Sequence, residues 1–232
     1  MAIAAPLGQP HGSQRLYAGA ALGVAALVFA GFAPSYYLRA FFNARHLTPL
    51  AHVHGVLMTG WIVLFATQAT LIRKAHIAVH RRLGVFGAAL AAAIVLVGSL
   101  TVAAAIQRRF PGIDVGRFAR IFIEFDGLSL WVFGALVLAA VLWRVRGDIH
   151  KRLMLCATVA LLPPAVGRIA EHLLPGSDDW NLAIAAIVTS VFVLACALAD
   201  TLRLGRVHAA MAWGAASVLA VNLLTRLAQL GD

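Results

Sequence analysis

Apolar runs long enough to cross a lipid bilayer follow one another along almost the whole chain. A helix needs about 20 residues to span a hydrocarbon layer of about 30 Å. Seven such runs cover residues 15–38, 49–73, 81–106, 117–143, 150–172, 180–202 and 208–228. Because each spanning segment must satisfy its own backbone hydrogen bonds, these runs are predicted to be helices. The predicted fold is an all-α, polytopic transmembrane bundle of seven helices.

Composition supports this class and leaves little room for a soluble domain. Hydrophobic residues make up 62% of the 232 residues, charged residues 12%, and the mean hydropathy is +0.88. We therefore predict a short cytoplasmic tail, residues 1–14, followed by one seven-helix transmembrane domain, residues 15–232.

The net charge of +10 reflects basic residues at the predicted helix ends, and it does not indicate a nucleic-acid partner. Lys and Arg number eleven on the side of the N-terminus and eight on the other side. The positive-inside rule then predicts a bacterial inner-membrane protein with a cytoplasmic N-terminus and an external C-terminus.

A pattern of tryptophan, histidine and basic residues recurs after seventy positions. Trp61 precedes His80 by nineteen residues, and Trp131 precedes His150 by the same number. Two basic residues and a leucine follow each histidine. The offset predicts a duplicated helix pair, helices 2–3 and 4–5, and it aligns His54 with Glu124.

Two groups of polar residues are candidate sites. The first is predicted near the external face, because its members lie at the external ends of helices two, four and five. Its candidate metal or haem ligands are His54, Glu124, Asp126 and His172, with His52, Met58, Arg168 and Glu171 in support. Ionisable groups in a membrane need a partner or a function, so the group is either a ligand set or a structural, proton-handling network.

The second candidate site consists of His80 and His150, which occupy equivalent positions in the two repeats. They are expected to face each other and to bind a metal or haem, or else to anchor the helices at a surface of anionic lipid. Mid-membrane lysines are missing from the sequence, which excludes a retinal Schiff base. Nucleotide-binding and common hydrolase motifs are also missing, and whether the chain is an enzyme stays open.

Four segments, within residues 45–172, resemble a widespread family of uncharacterised bacterial membrane proteins. They are LTPLAHVHGVLMTGWIVLF, HRRLGVFGA, DGLSLWVFGALVL and DIHKRLMLCATVALLPPAVGRI. This resemblance implies the fold and no particular reaction.

The stretch His54-Gly55-Val56-Leu57-Met58, with Trp61 and Arg73, is also distantly similar to the transmembrane di-haem cytochromes b. That resemblance implies that His80 pairs with His150. It also implies a partner for His54 on helix four, where this sequence offers Glu124 or Asp126 and not histidine.

The leading hypothesis is a metal- or haem-binding membrane protein with a redox or respiratory-complex assembly role. Its cofactor would be haem b or a transition metal, iron or copper. One alternative is a proton-coupled or small-solute transporter, and another is a structural or accessory subunit of a membrane complex. The expected partners are the lipid bilayer and other subunits of such a complex.

Overall fold

The computed structural model describes residues 11–42, 46–116, 127–174 and 178–230. It is 87% helical, and the described residues contain no strand, so the predicted all-α bundle is confirmed. The helices are α1 (His11–Phe32), α2 (Pro49–Arg73), α3 (Ile77–Arg109), α4 (Gly127–Leu142), α5 (Gly147–Val159), α6 (Pro163–Leu173), α7 (Asp178–Leu204) and α8 (Ala209–Leu230). A π-helical turn, Ala33–Tyr37, and a 3-10 turn, Arg39–Phe41, follow α1.

Six helical segments in the described ranges are long and apolar enough to cross a membrane. These segments are α1 with its π-turn, α2, α3, the continuous α5–α6 stretch, α7 and α8. The helix α4 is apolar but shorter, and residues 117–126, which the sequence places in the same span, lie outside the described residues. The structure is therefore compatible with a multi-pass membrane protein.

Local signals in the sequence set several helix ends. The Thr48 hydroxyl accepts a hydrogen bond from the Ala51 N–H at 3.2 Å, and Pro49 begins α2, as an N-cap followed by proline predicts. The helices α3 and α5 begin at Ile77 and Gly147, again seventy residues apart. The offset thus recurs in the positions at which the two helices begin.

The two tryptophans of the repeat occupy different environments. Trp61 is 2% exposed, packs edge-to-face on Phe133, and donates a hydrogen bond to the Thr158 hydroxyl at 3.3 Å. Trp131 is 62% exposed. The equivalence in sequence does not extend to their packing, because α2 contacts α5 through Trp61 whereas Trp131 lies on the outer surface of α4.

The α5–α6 segment is the centre of the bundle. In its most apolar stretch 72% of the residues are buried, against 11% to 33% in the other five segments. The helix α5 packs against α1, α4, α7 and α8, and α6 packs against α1 and α7. Pro163 and Pro164 divide the segment into two helices, because neither residue has an N–H to continue the backbone ladder. The single kinked helix predicted over residues 150–172 is thus a pair of helices.

Glycine permits close contact between α1 and this central segment. A Cβ at Gly31 would collide with the backbone carbonyl of Ala165 in α6. The backbone there cannot move aside as a flexible side chain could. At Gly19, earlier in α1, a Cβ would meet no atom within 4 Å. Gly31 and Gly19 can therefore serve as a test position and its control on the same helix.

We predict that Gly31→Ala lowers the free energy of unfolding by about 1–3 kcal/mol, because the added methyl group forces α1 away from α6. Gly19→Ala is expected to have no destabilising effect, since alanine is the better helix former. Unfolding of the purified protein in mixed detergent micelles, followed by circular dichroism, measures both changes. Equal stability of the two variants would contradict the close contact.

Candidate functional site

His80 and His150 lie together at one end of the bundle, which we call the His80 end. Their ring centroids are 6.2 Å apart and the ring planes are nearly perpendicular, at 86°. Each histidine lies in the first turn of its helix, α3 or α5, and each is partly buried. The structure therefore brings together the two histidines that the repeat makes equivalent.

Hydrogen bonds orient the His150 ring. Its Nδ1 lies 2.8 Å from the carbonyl oxygen of Ala140 in α4. A carbonyl only accepts, so Nδ1 carries the proton and Nε2 keeps its lone pair. A ring fixed in this way through one nitrogen is characteristic of histidines that bind a metal through the other.

Two buried polar atoms beside this pair have no hydrogen-bond partner. They are Nδ1 of His80 and Oε1 of Gln68. The amide group of Gln68 donates to the His80 carbonyl at 3.2 Å, so the Gln68 side chain reaches the start of α3. Buried polar groups of this kind can be satisfied by a water molecule, an ion or a cofactor, and six other buried side-chain atoms in the described residues are in the same state.

At the opposite end, which we call the His54 end, the candidate residues that the structure describes are not gathered in this way. His54 is partly buried, and its Nδ1 is buried without a partner. Its ring edge faces Gly98 of α3. Met58, one turn along α2, packs against the core. His52 is exposed, and its ring lies against that of Tyr36 at 5.6 Å between centroids.

Arg168, Glu171 and His172 are exposed on α6. Nδ1 of His172 donates to the Arg168 carbonyl at 2.8 Å, and the Arg168 guanidinium lies 5.0 Å from the centre of the Phe32 ring. Arg168 thus contacts an aromatic ring of α1 through a cation–π interaction.

Glu124 and Asp126, the predicted carboxylate ligands, lie outside the described residues. Among the residues that are described, no three His, Cys, Asp or Glu side chains are arranged so that they could hold a metal ion.

A buried ion pair at the His80 end was not predicted from the sequence. Arg152 of α5 donates to both carboxylate oxygens of Asp200 in α7, at 2.7 and 3.0 Å. The side chains are only 4% and 6% exposed. The Tyr17 hydroxyl donates to Asp200 at 3.0 Å, and Arg152 also donates to the Asp148 carbonyl at 2.6 Å. The pair is therefore fully hydrogen-bonded, which buried charges require.

The same end carries a histidine–carboxylate contact. Nε2 of His208 lies 3.1 Å from Oδ2 of Asp148, and Nδ1 of His208 accepts from the Ala210 N–H at 3.2 Å. Nε2 is therefore the donor, and it holds Asp148 beside the start of α8. Asp148 lies inside the first turn of α5, and its side chain bonds to His208.

Asp200 could have been recognised from one signal in the sequence. It is an acid within the apolar run of residues 180–202, where an ionisable group needs a buried partner. Tyr17 gives no such signal, because tyrosine is common at the ends of membrane helices. Its role depends on packing between α1 and α7.

Comparisons of this chain with family models, with curated proteins and with solved structures give no match. The candidate sites are therefore assessed on their own geometry.

We predict that Asp200→Ala lowers the free energy of unfolding by about 3–5 kcal/mol, because it leaves the Arg152 guanidinium buried without its carboxylate. Tyr17→Phe removes one hydrogen bond and should cost about 1 kcal/mol. Denaturant titration in mixed micelles measures both.

The control for this prediction is the double variant Arg152→Met, Asp200→Leu, which removes both charges and keeps the volume. It should be more stable than Asp200→Ala alone, since no unpaired charge remains. A double variant that is less stable than the single one would show that the loss arises from packing and not from an uncompensated charge.

Proposed function

We propose that this chain is a multi-pass protein of the bacterial inner membrane that binds a redox-active metal or a haem through His80 and His150. Its role would be electron transfer, or assistance in assembling a respiratory complex. The observation that carries the proposal is the His80–His150 pair, with its oriented ring and the unpartnered polar atoms around it.

The distance between the rings fits this proposal. Two imidazole nitrogens that lie about 2 Å from one metal ion, on opposite sides of it, place the ring centroids about 6 Å apart. The rings of His80 and His150 are 6.2 Å apart.

The surroundings support a held cofactor more than a lipid anchor. The Ala140 carbonyl fixes the tautomer of His150 and leaves the lone pair on its Nε2. Gln68 reaches the backbone of His80 from α2, so four helices, α2 to α5, contribute to the pair and its supports. A bound iron or copper would supply one-electron exchange here. The protein's own part is to hold and orient the two imidazoles and to exclude water.

The surrounding charges agree with a site near the cytoplasmic surface. Arg81 and Arg82 follow His80, and Lys151 and Arg152 follow His150. By the positive-inside rule this end of the bundle faces the cytoplasm, as the sequence predicts for the N-terminus. Electrons would then be exchanged close to the inner leaflet.

The structure offers less support for the transporter alternative. A cavity between α6, α7 and α8 has a volume of about 10 Å³, which is room for about one water molecule, and a larger pocket of about 330 Å³ beside Thr70 and His76 is an open surface groove. A solute pathway to the bilayer midplane would need a far larger space in at least one conformation. The alternative of a structural or accessory subunit does not require any bound group at His80 and His150.

The proposal is tested on the full chain, expressed with iron, copper and haem precursors supplied and purified in detergent. Metal analysis and an absorption spectrum should show about one cofactor per chain. His80→Ala and His150→Ala are each expected to lose the cofactor, since a group that two histidines would hold binds much more weakly when one of them is removed.

His76→Ala is the matched control, because His76 is an exposed residue one turn before His80 and should leave cofactor content unchanged. His54→Ala, in the same assay, examines the site predicted at the His54 end. A folded protein that is colourless and metal-free after this expression contradicts the proposal. Cofactor content that falls with His54→Ala and not with His80→Ala would move the site to the opposite end.

A further inference from the structure

Three sulfur-containing side chains lie buried in the interior of the bundle, away from the histidine pair. Cys156 lies on α5, Cys196 on α7 and Met211 on α8. Their exposures are 0%, 7% and 1%. The Cys156 thiol contacts the Met211 thioether with 3.8 Å between the sulfur atoms. This chain has only two cysteines and four methionines, so three of its six sulfur atoms are buried on helices that pack against one another.

The buried ion pair explains how the second cysteine reaches this place. The helix α7 ends at the His80 end, where α5 begins, so the two helices are antiparallel. Arg152 faces Asp200 across them. In an antiparallel pair, four residues forward on one helix lie opposite four residues back on the other. Cys156 and Cys196 satisfy this relation, so the register set by the ion pair places them opposite each other on α5 and α7.

The third helix approaches closely enough to complete the cluster. A Cβ at Gly214 of α8 would lie 2.7 Å from the Cys156 sulfur. Only glycine at this position lets α8 lie so near α5, with Met211 one turn before it. The Cys156 thiol thus occupies the space that a side chain at position 214 would otherwise fill.

The sulfur–sulfur distance matches two ligands of one metal ion. Soft-metal bonds to sulfur are about 2.3 Å long, and at trigonal or tetrahedral angles two such sulfurs lie about 3.8–4.0 Å apart. The ligand types narrow the choice of metal, since thiolate and thioether together select Cu(I). Harder divalent ions prefer oxygen and nitrogen, and the thioether would bind them poorly.

We propose that Cys156, Cys196 and Met211 form a binding site for a soft monovalent metal ion, Cu(I). Cys156 binds as the thiolate and releases one proton, so the metal–thiolate unit is neutral and tolerates the apolar interior. The Met211 thioether and the Cys196 sulfur complete the coordination. The site is separate from the histidine pair and does not depend on the function proposed for it.

The test uses the full chain in detergent under anaerobic, reducing conditions, with Cu(I) buffered by a chromogenic chelator. About one Cu(I) per chain should withstand a chelator that removes adventitious copper. X-ray absorption of the loaded protein should show a first shell of sulfur. Met211→Leu keeps the volume and removes the ligand, so it should weaken binding by at least about tenfold. Cys196→Ser should weaken it at least as much.

Met154→Leu is the matched control, because Met154 is on α5 near Cys156 but packs elsewhere against the core. It should leave Cu(I) affinity unchanged. His80→Ala with His150→Ala should also leave it unchanged, which separates this site from the histidine pair. The thermal unfolding of each metal-free variant shows whether it is folded.

Two outcomes would overturn the proposal. One is a first shell of nitrogen and oxygen alone in the absorption spectrum. The other is Cu(I) affinity that is the same in the wild type, Met211→Leu and Cys196→Ser, all folded. In either case the sulfur cluster is apolar packing only, the usual state of a buried free cysteine.

Discussion

The ion pair between Arg152 and Asp200 is the interaction on which the arrangement of the bundle depends. Two charges in an apolar interior are tolerated only when every donor and acceptor is satisfied, and here Tyr17 and the Asp148 carbonyl complete the bonding. These contacts admit one relative position of α1, α5 and α7. A shift of one residue along α7 would leave both charges unpaired. The ion pair therefore fixes the register between α5 and α7, whereas apolar packing alone would allow several registers.

Local chemistry explains which parts of the fold could be predicted from the sequence. Thr48 and Pro49 begin α2 because the cap needs only neighbouring residues. Pro163 and Pro164 break the central segment because they lack donors. The seventy-residue offset reappears in the starts of α3 and α5. Each of these features is determined within a few residues, which is the range over which a single sequence is informative.

Contacts between distant segments could not be predicted in the same way. The histidine pair could be foreseen because the repeat makes its members equivalent. The partners of Arg152, the His208–Asp148 contact and the sulfur cluster involve helices that share no repeat. The repeat can also mislead. Trp131 is equivalent to Trp61 in sequence, yet Trp61 is buried and Trp131 is exposed. Which face of a helix is buried depends on its neighbours, and α4 has fewer of them on that side.

The divergence of the two repeats has a consequence for both candidate sites. The segment α5–α6 became the central one, while α3 lies at the periphery. The first turn of α5 is held from three directions: His150 bonds to α4, Arg152 to α7 and Asp148 to α8. His150 and Arg152 are two residues apart and so lie on opposite faces of the helix, about 200° around its axis. Because His150, Arg152 and Cys156 lie on one continuous helix, a displacement of α5 that separates Arg152 from Asp200 would also shift the His150 ring and the Cys156 thiol. The two candidate centres are therefore mechanically linked through one helix, although they share no ligand.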